Sequence, residues 1–178
     1  MDLGDPVFYE DFADVPSWGT YEPAWQKKYL GPSAPESDSL RALYSGVMLD
    51  VAWALFEIRL LHNPASDANA VWTEITSHYL YVVPHPELAW WAVRVQLVDA
   101  PGYMVNYGLG AVITADIRRH IQESLGPFST GNPRWYPWIT EHLLRQGMEH
   151  ETSVELKEFL GRPVSPDALL ADIQRMKR

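Results

Sequence analysis

Hydrophobic positions between Ser39 and His62 recur on more than one face of a helix. The stretch SLRALYSGVMLDVAWALFEIRLLH is about 24 residues long, which corresponds to about 36 Å of α-helix. Ser37 or Ser39 can cap its start, and Asn63-Pro64 ends it because a residue before proline disfavours the helical conformation. A helix that is apolar on most sides is typical of the centre of a domain, so we expect this helix to be central.

Helical spacing continues along the rest of the chain. Serine or aspartate caps, proline in a first turn, and glycine or proline after the last turn bound each segment. Six further helices are predicted on this basis, over residues 66–82, 86–100, 103–125, 133–147, 153–161 and 165–178.

The predicted fold class is all-α, a multi-helix domain of about six to seven helices. No stretch shows the sustained alternation and β-branched enrichment that are typical of a strand. Residues 1–36 are rich in Pro, Gly, Asp and aromatic residues and show little periodicity. We expect them to form an extended or partly disordered arm, with a helical turn around PAWQKKYLG, and residues 37–178 to form a single helical domain.

Composition and charge narrow the classes of function. Apolar residues make up 47% of the 178 residues and charged residues 21%, which is typical of a globular chain. The formal charge is −9 and no Lys/Arg run is present, so neither nucleic-acid nor membrane binding is expected. The chain contains no cysteine, which excludes disulfides, thiolate metal sites and a cysteine nucleophile. We expect a cytoplasmic protein.

The histidines do not form a metal motif. HETSV at His150 resembles the start of HExxH, but the position of the second histidine is occupied by Val154, and Thr152-Ser153 are typical of a helix cap. The six histidines contain no pair spaced four residues apart. No metal site is therefore expected in this chain.

Charged residues in the apolar helices are the first candidates for a site. Asp50 and Glu57 are seven residues apart and share one helix face, Arg59 lies close by, and Arg94 follows in WWAVRVQ. Buried charges are costly unless they are paired. We therefore favour a structural network, such as a Glu57–Arg94 ion pair between two helices, over a carboxylate in a cleft wall.

Tyr103 and Tyr107 also share a face, near Gly108 and Gly110. A phenol remains protonated at neutral pH and donates a strong hydrogen bond, as needed to hold a developing oxyanion. The glycines would let a substrate or another backbone approach closely. Tight helix packing with tyrosines at its rim explains the same pattern equally well.

Three segments resemble the C-terminal half of gluzincin-type zinc metallopeptidases, the mostly helical oligopeptidases and carboxypeptidases. ALFEIRLLH resembles a helix with a phenylalanine-glutamate step that follows the catalytic motif, and APGYMVNYGLGAVITADI resembles the family's Gly-Tyr-x-x-x-Tyr-x-Leu-Gly segment. WITEHLLRQGMEHETSVELKEFLGRPVSPDALLADIQRMK resembles the closing helix pair. The resemblance covers about residues 40–178. The family's HExxH helix and downstream glutamate ligand lie before this region, and nothing in residues 1–36 replaces them.

The resemblance implies roles for particular residues. Tyr107 would donate a hydrogen bond to the oxyanion, Tyr103 would be its neighbour or alternate, and Glu57 would lock a helix. The candidate residues for binding the peptide substrate are Trp90, Trp91 and Asn106. Zinc is implied for the complete enzyme, so we expect this chain to be inactive alone and to require a zinc-bearing peptidase half, or to self-associate.

Two other hypotheses remain open. The chain can be a non-catalytic helical module with an aromatic groove that binds a peptide or another protein. It can also be an enzyme of another class that uses Asp50, Glu57 and the tyrosines as acid and base groups.

Overall fold

The chain folds into α-helices joined by short turns. The computed structural model describes residues 5–147 and 149–176, and within these ranges no β-strand is present. The α-helices are α1 (Pro6–Ser17), α2 (Pro23–Tyr29), α3 (Glu36–His62), α4 (Ala68–Tyr79), α5 (Gln96–Asp99), α6 (Met104–Leu125), α7 (Trp135–His142), α8 (Thr152–Leu160) and α9 (Asp167–Arg175). Short 3-10 turns cover Trp18–Tyr21, Trp90–Val93 and Leu144–Gln146. The all-α prediction is confirmed.

Several predicted helix ends are confirmed by the caps that the structure shows. The long helix α3 ends at His62, directly before Asn63-Pro64. The Asp67 carboxylate accepts hydrogen bonds from the amides of Asn69 and Ala70, at 2.9 and 3.2 Å, and so caps α4. Side-chain caps of this kind satisfy amides that have no partner inside the helix.

The helix predicted over residues 86–100 is wrong. This segment contains only the 3-10 turn Trp90–Val93 and the four-residue helix α5. Val93, Val95 and Val98 are exposed, with 79%, 58% and 76% of their surface accessible. A helix here would have little tertiary packing to stabilise it, and β-branched residues lower helix propensity further.

The N-terminal segment also differs from the expected extended arm. Residues 5–29 form α1, a 3-10 turn and α2, and the side chains of Val15 and Trp18 are almost fully buried. The expected helical turn around PAWQKKYLG is present as α2. Burial of these apolar side chains makes the segment part of a core, which an irregular composition did not indicate.

The chain divides into two compact units, and the division differs from the predicted boundary at residue 36. Unit 1 combines Met1–Tyr44 with Gly110–Arg178, as far as these ranges are described, and unit 2 is Ser45–Leu109. Both boundaries fall inside a long helix, α3 or α6. An uninterrupted helical pattern in the sequence gives no sign of such a boundary.

The core of unit 1 contains one face of α6 and side chains from α1, α7 and α8. Its buried members include Val15, Ile117, Ile139, Leu156 and Phe159. These side chains come from segments far apart in the chain, so hydrophobic burial holds α1 and α8 in the same unit.

Polar contacts inside unit 1 are specific. The Asp116 carboxylate is buried and accepts hydrogen bonds from both terminal nitrogens of Arg162, at 2.7 and 2.5 Å, and from the Ser165 amide at 2.9 Å. Burial acts to raise the pKa of Asp116, but these hydrogen bonds and the nearby guanidinium charges hold it below its ordinary value. The contacts fix the turn that leads into α9.

The core of unit 2 is aromatic. The rings of Trp53 and Trp72 stack with centroids 3.9 Å apart, and Phe56 contacts Trp72 edge-on at 5.4 Å. Ile75 and Met104 are fully buried in the same cluster. Among the described residues, no helix combines the length and apolar character needed to cross a bilayer.

Candidate functional site

The candidate catalytic, substrate-binding and ion-pair residues all belong to unit 2. They lie on three segments: Asp50 and Glu57 on α3, Trp90, Trp91 and Arg94 in the segment before α5, and Tyr103, Asn106 and Tyr107 at the start of α6. The structure therefore brings the candidate carboxylates, the tyrosines and the exposed tryptophan into one compact unit.

Glu57 fixes the start of the tyrosine helix. Its carboxylate is buried and accepts hydrogen bonds from the amides of Gly102 and Met104, at 2.7 and 2.8 Å. The first amides of a helix have no partner within the helix, and a carboxylate there also interacts favourably with the helix dipole. Gly102 has φ of 93°, a conformation that favours glycine. Glu57 thus links α3 to the first turn of α6.

Arg94 was expected to pair with Glu57, but in the structure it lies near the Asp50 carboxylate. A guanidinium nitrogen of Arg94 lies 3.9 Å from the Asp50 carboxylate, and both side chains are about one-third exposed. The same guanidinium lies over the rings of Trp53 and Tyr107, at 5.3 and 5.9 Å from their centroids. At this distance and exposure the ion pair contributes little, whereas the two cation–π contacts fix the position of the guanidinium beside the tyrosine.

Tyr103 and Tyr107 form an edge-to-face pair of rings. Their centroids are 5.6 Å apart with an interplanar angle of 63°, and both side chains are half-buried. Edge-to-face contact of this kind stabilises one relative orientation of two aromatic side chains. With Arg94 on the Tyr107 ring, the pair is a pre-oriented polar and aromatic surface on the first two turns of α6.

The candidate substrate-binding residues have different environments. Trp90 is 60% exposed. The indole nitrogen of Trp91 donates a hydrogen bond to the Asn69 side-chain oxygen at 2.7 Å, and its ring lies against Phe56 at 5.9 Å. Trp91 is therefore a packing residue, while Trp90 presents its ring to solvent. Asn106 is half-buried in the first turn of α6.

The glycines of α6 serve close packing. A Cβ added at Gly108 would lie 2.9 Å from the Ala54 Cβ, nearer than side chains pack. A Cβ at Gly110 would overlap the Asp11 carboxylate. The alternative of tight helix packing therefore accounts for both glycines. The glycines are thus no evidence that a substrate approaches the tyrosines.

Asp11 is a buried acid that the sequence did not reveal. Only 1% of it is accessible, and neither carboxylate oxygen has a hydrogen-bond partner among the described residues. Burial, followed by the charges of Asp5, Asp14 and Glu10, raises the pKa of Asp11 to about 8. The Asp11 backbone oxygen accepts a hydrogen bond from the Thr114 hydroxyl at 2.9 Å. An acidic N-terminal segment gives no signal that one of its carboxylates is buried.

The described residues do not fit a zinc ion. Among them, no three histidine, aspartate or glutamate side chains converge as a metal site requires. His150 and Glu151 precede α8, which begins at Thr152, so the HETSV segment does not place them in a helix interior.

Comparisons with known protein families, with curated proteins and with solved structures yield no match.

Proposed function

We propose that this chain is the substrate-side helical part of a gluzincin-like peptidase, with Tyr107 as the oxyanion donor and Tyr103 beside it. The substrate class is a peptide, whose scissile carbonyl oxygen would accept the phenolic hydrogen bond. Trp90 and Asn106 would also contact the peptide. The absence of cysteine supports a cytoplasmic location as part of the same proposal.

The observation that supports this proposal most is the oriented tyrosine pair at the start of α6. Glu57 caps this helix through two amides, and the Arg94 guanidinium lies over the Tyr107 ring. A donor that is held in place before the reaction begins stabilises a developing charge more than a mobile donor does. A nearby guanidinium also favours negative charge in the same place.

The proposal requires a second component. Since the described residues do not fit zinc, the metal and its general base would be supplied by a partner chain or by an N-terminal half that contains the HExxH helix. Alone, this chain would hold a peptide and donate hydrogen bonds to it without hydrolysing it.

Two measurements test the proposal. The first is elemental analysis of the purified chain after dialysis, together with hydrolysis of a quenched fluorescent peptide mixture. We expect no stoichiometric zinc and no hydrolysis. Stoichiometric zinc would contradict the need for a second component.

The second measurement is affinity purification of the tagged chain from its native host. We expect an associated chain that contains HExxH, about one zinc per complex, and hydrolysis of the same peptides. A chain that purifies alone as a monomer would contradict the two-component proposal.

An exposed apolar segment favours a second candidate, the non-catalytic binding module. Tyr81, Val83 and Trp90 are 88%, 70% and 60% exposed within one stretch of the chain. Contiguous exposed apolar surface marks sites of protein association. If peptides bind to the isolated chain, and if no zinc-bearing partner is recovered, this second function replaces the first.

A further inference from the structure

Unit 1 contains a cavity that the proposed peptidase role does not use. Its volume is about 750 Å³, within the range of about 300–1,000 Å³ that is typical of small-molecule sites. All its lining residues belong to unit 1. Its apolar surface comes from the buried side chains Trp18, Leu40, Leu43, Tyr44, Ala115 and Ala168.

The acidic groups of the cavity already have partners within the protein. The two carboxylate oxygens of Glu22 accept hydrogen bonds from Arg118 and from the Ser129 hydroxyl. Those of Asp172 accept from the Tyr44 hydroxyl at 2.9 Å and from Arg175 at 2.7 Å. The third acid, Glu36, also accepts a hydrogen bond from Arg175, at 3.1 Å. These acids are therefore poorly placed to attract a cation.

The arginines that line the cavity differ in the partners they have within the protein. Arg118 is buried and donates to the Val15 carbonyl as well as to Glu22. Arg175 is shared between Glu36 and Asp172. Arg119 lines the cavity, is half-buried, and has no ion-pair or hydrogen-bond partner among the described residues. Its charge acts at longer range on Asp116, whose oxygens are already bonded to Arg162 and Ser165.

Amide side chains line the same cavity as Arg119. Gln122 lines the cavity three residues after Arg119 on α6, so the two side chains share one helix face. Gln174 lines the cavity from α9. Guanidinium and amide groups donate hydrogen bonds and together suit a carboxylate, which a guanidinium binds in a bidentate manner.

We propose that this cavity binds a small organic carboxylate with an apolar, ring-sized body. Arg119 and Gln122 bind the carboxylate, and the body lies against Trp18 and the leucines. The acids of the cavity are already hydrogen-bonded within the protein, so Arg119 is the cation left to bind the ligand. The site is independent of the tyrosine pair in unit 2.

Matched probes test this proposal: 3-phenylpropionate and its neutral analogue 3-phenylpropan-1-ol, titrated into the ¹⁵N-labelled full chain and followed by amide shifts. We expect the acid to bind about 10-fold more tightly than the alcohol, as a charge-assisted hydrogen bond would give. The shifted amides should lie in cavity-lining residues. In Arg119→Gln the acid should lose this preference while the alcohol binds unchanged.

Control variants distinguish the effect of the positive charge at position 119 from effects of substitutions elsewhere in the protein. Arg119→Lys should keep most of the preference, and Arg145→Gln, at an exposed arginine outside the cavity, should keep all of it. Ala171→Trp, at a lining position, should weaken both probes.

Three results would overturn the proposal: equal affinity for acid and alcohol, an undiminished preference in Arg119→Gln, or shifts confined to residues outside the cavity. If Arg119→Gln also no longer binds the alcohol, the result for Arg119→Lys decides. A preference for the acid that is retained in Arg119→Lys supports the proposal, and loss of that preference overturns it. The cavity-lining residues belong to unit 1 and Tyr107 belongs to unit 2, so a negative result with these probes leaves the peptidase proposal standing, and failure of the peptidase tests leaves this one standing.

Discussion

The carboxylate of Asp11 occupies the space that a side chain at position 110 would need, so α1 packs directly on the backbone of α6 at Gly110. A glycine here allows a buried acid to approach a helix, and the acid contributes its backbone oxygen to Thr114 as well. This contact joins segments that lie far apart in the sequence and defines where the N-terminal helix is held.

Gly110→Ala should therefore destabilise the protein although alanine favours helices. The added methyl group overlaps the Asp11 carboxylate, and overpacking of a buried contact costs about 1–3 kcal/mol. Gly46→Ala is the control, because Gly46 lies in α3 with nothing near its Cβ position. That change should stabilise by about 0.5–1 kcal/mol in urea unfolding, from helix propensity alone. Equal effects of the two substitutions would show that Asp11 does not lie against Gly110.

Asp11 should make stability fall as pH rises. Its folded pKa is raised to about 8 from the ordinary value of 3.8, so the folded state binds the proton more strongly than the unfolded state does. The contribution of protonated Asp11 to the free energy of unfolding is therefore intact below about pH 4 and is lost progressively up to about pH 8, with each pKa unit worth about 1.4 kcal/mol at most. Asp11→Asn, which is neutral at every pH, should be close to wild type at pH 4 and more stable by about 2–4 kcal/mol at pH 8.

Urea unfolding of both proteins at several pH values measures this difference. Asp14→Asn is the control, since Asp14 is exposed on the same helix and should produce a much smaller pH-dependent change. A difference between Asp11→Asn and wild type that is constant from pH 4 to pH 8 would show that Asp11 is not protonated in the folded protein.

Glu57→Ala should loosen the start of α6. The change leaves the amides of Gly102 and Met104 without an acceptor inside unit 2, at a cost of about 2–3 kcal/mol. Hydrogen exchange of these two amides should accelerate more than that of amides in the middle of α6. Glu74→Ala, which removes a surface ion pair with Arg59 in the same unit, should cost at most about 0.5 kcal/mol. Unchanged exchange at both amides would contradict the capping role of Glu57.

These relationships show which features a sequence can reveal. The C-terminal end of α3 and the start of α4 were predictable because Asn63-Pro64 and Asp67 act on their own neighbours. The Tyr103–Tyr107 pair was predictable for the same reason, since helical spacing alone places the two rings together. The helix predicted over residues 86–100 failed because its stability depends on packing that the structure does not supply.

Long-range polar contacts were the harder part of the candidate site. Glu57 was expected to pair with Arg94, but its carboxylate accepts hydrogen bonds from two backbone amides instead. Every residue except proline has a backbone amide, so the sequence does not show which amides a carboxylate will bind. Asp11 and Arg119 gave no signal because their roles depend on burial and on which neighbouring charges are already paired. Both properties follow from the tertiary fold.

The proposed peptidase role predicts a difference between two tyrosine variants. In a complex that contains the zinc-bearing component, Tyr107→Phe should lower kcat by about 10²–10³ with little change in KM, because an oxyanion donor acts in the transition state. Tyr103→Phe should lower kcat less, by about 10-fold, if it acts by orienting its neighbour. Zinc content and thermal stability should match wild type in both variants. A fall confined to KM would indicate that the tyrosines only bind the peptide, and equal kcat in all three proteins would remove Tyr107 from the catalytic role.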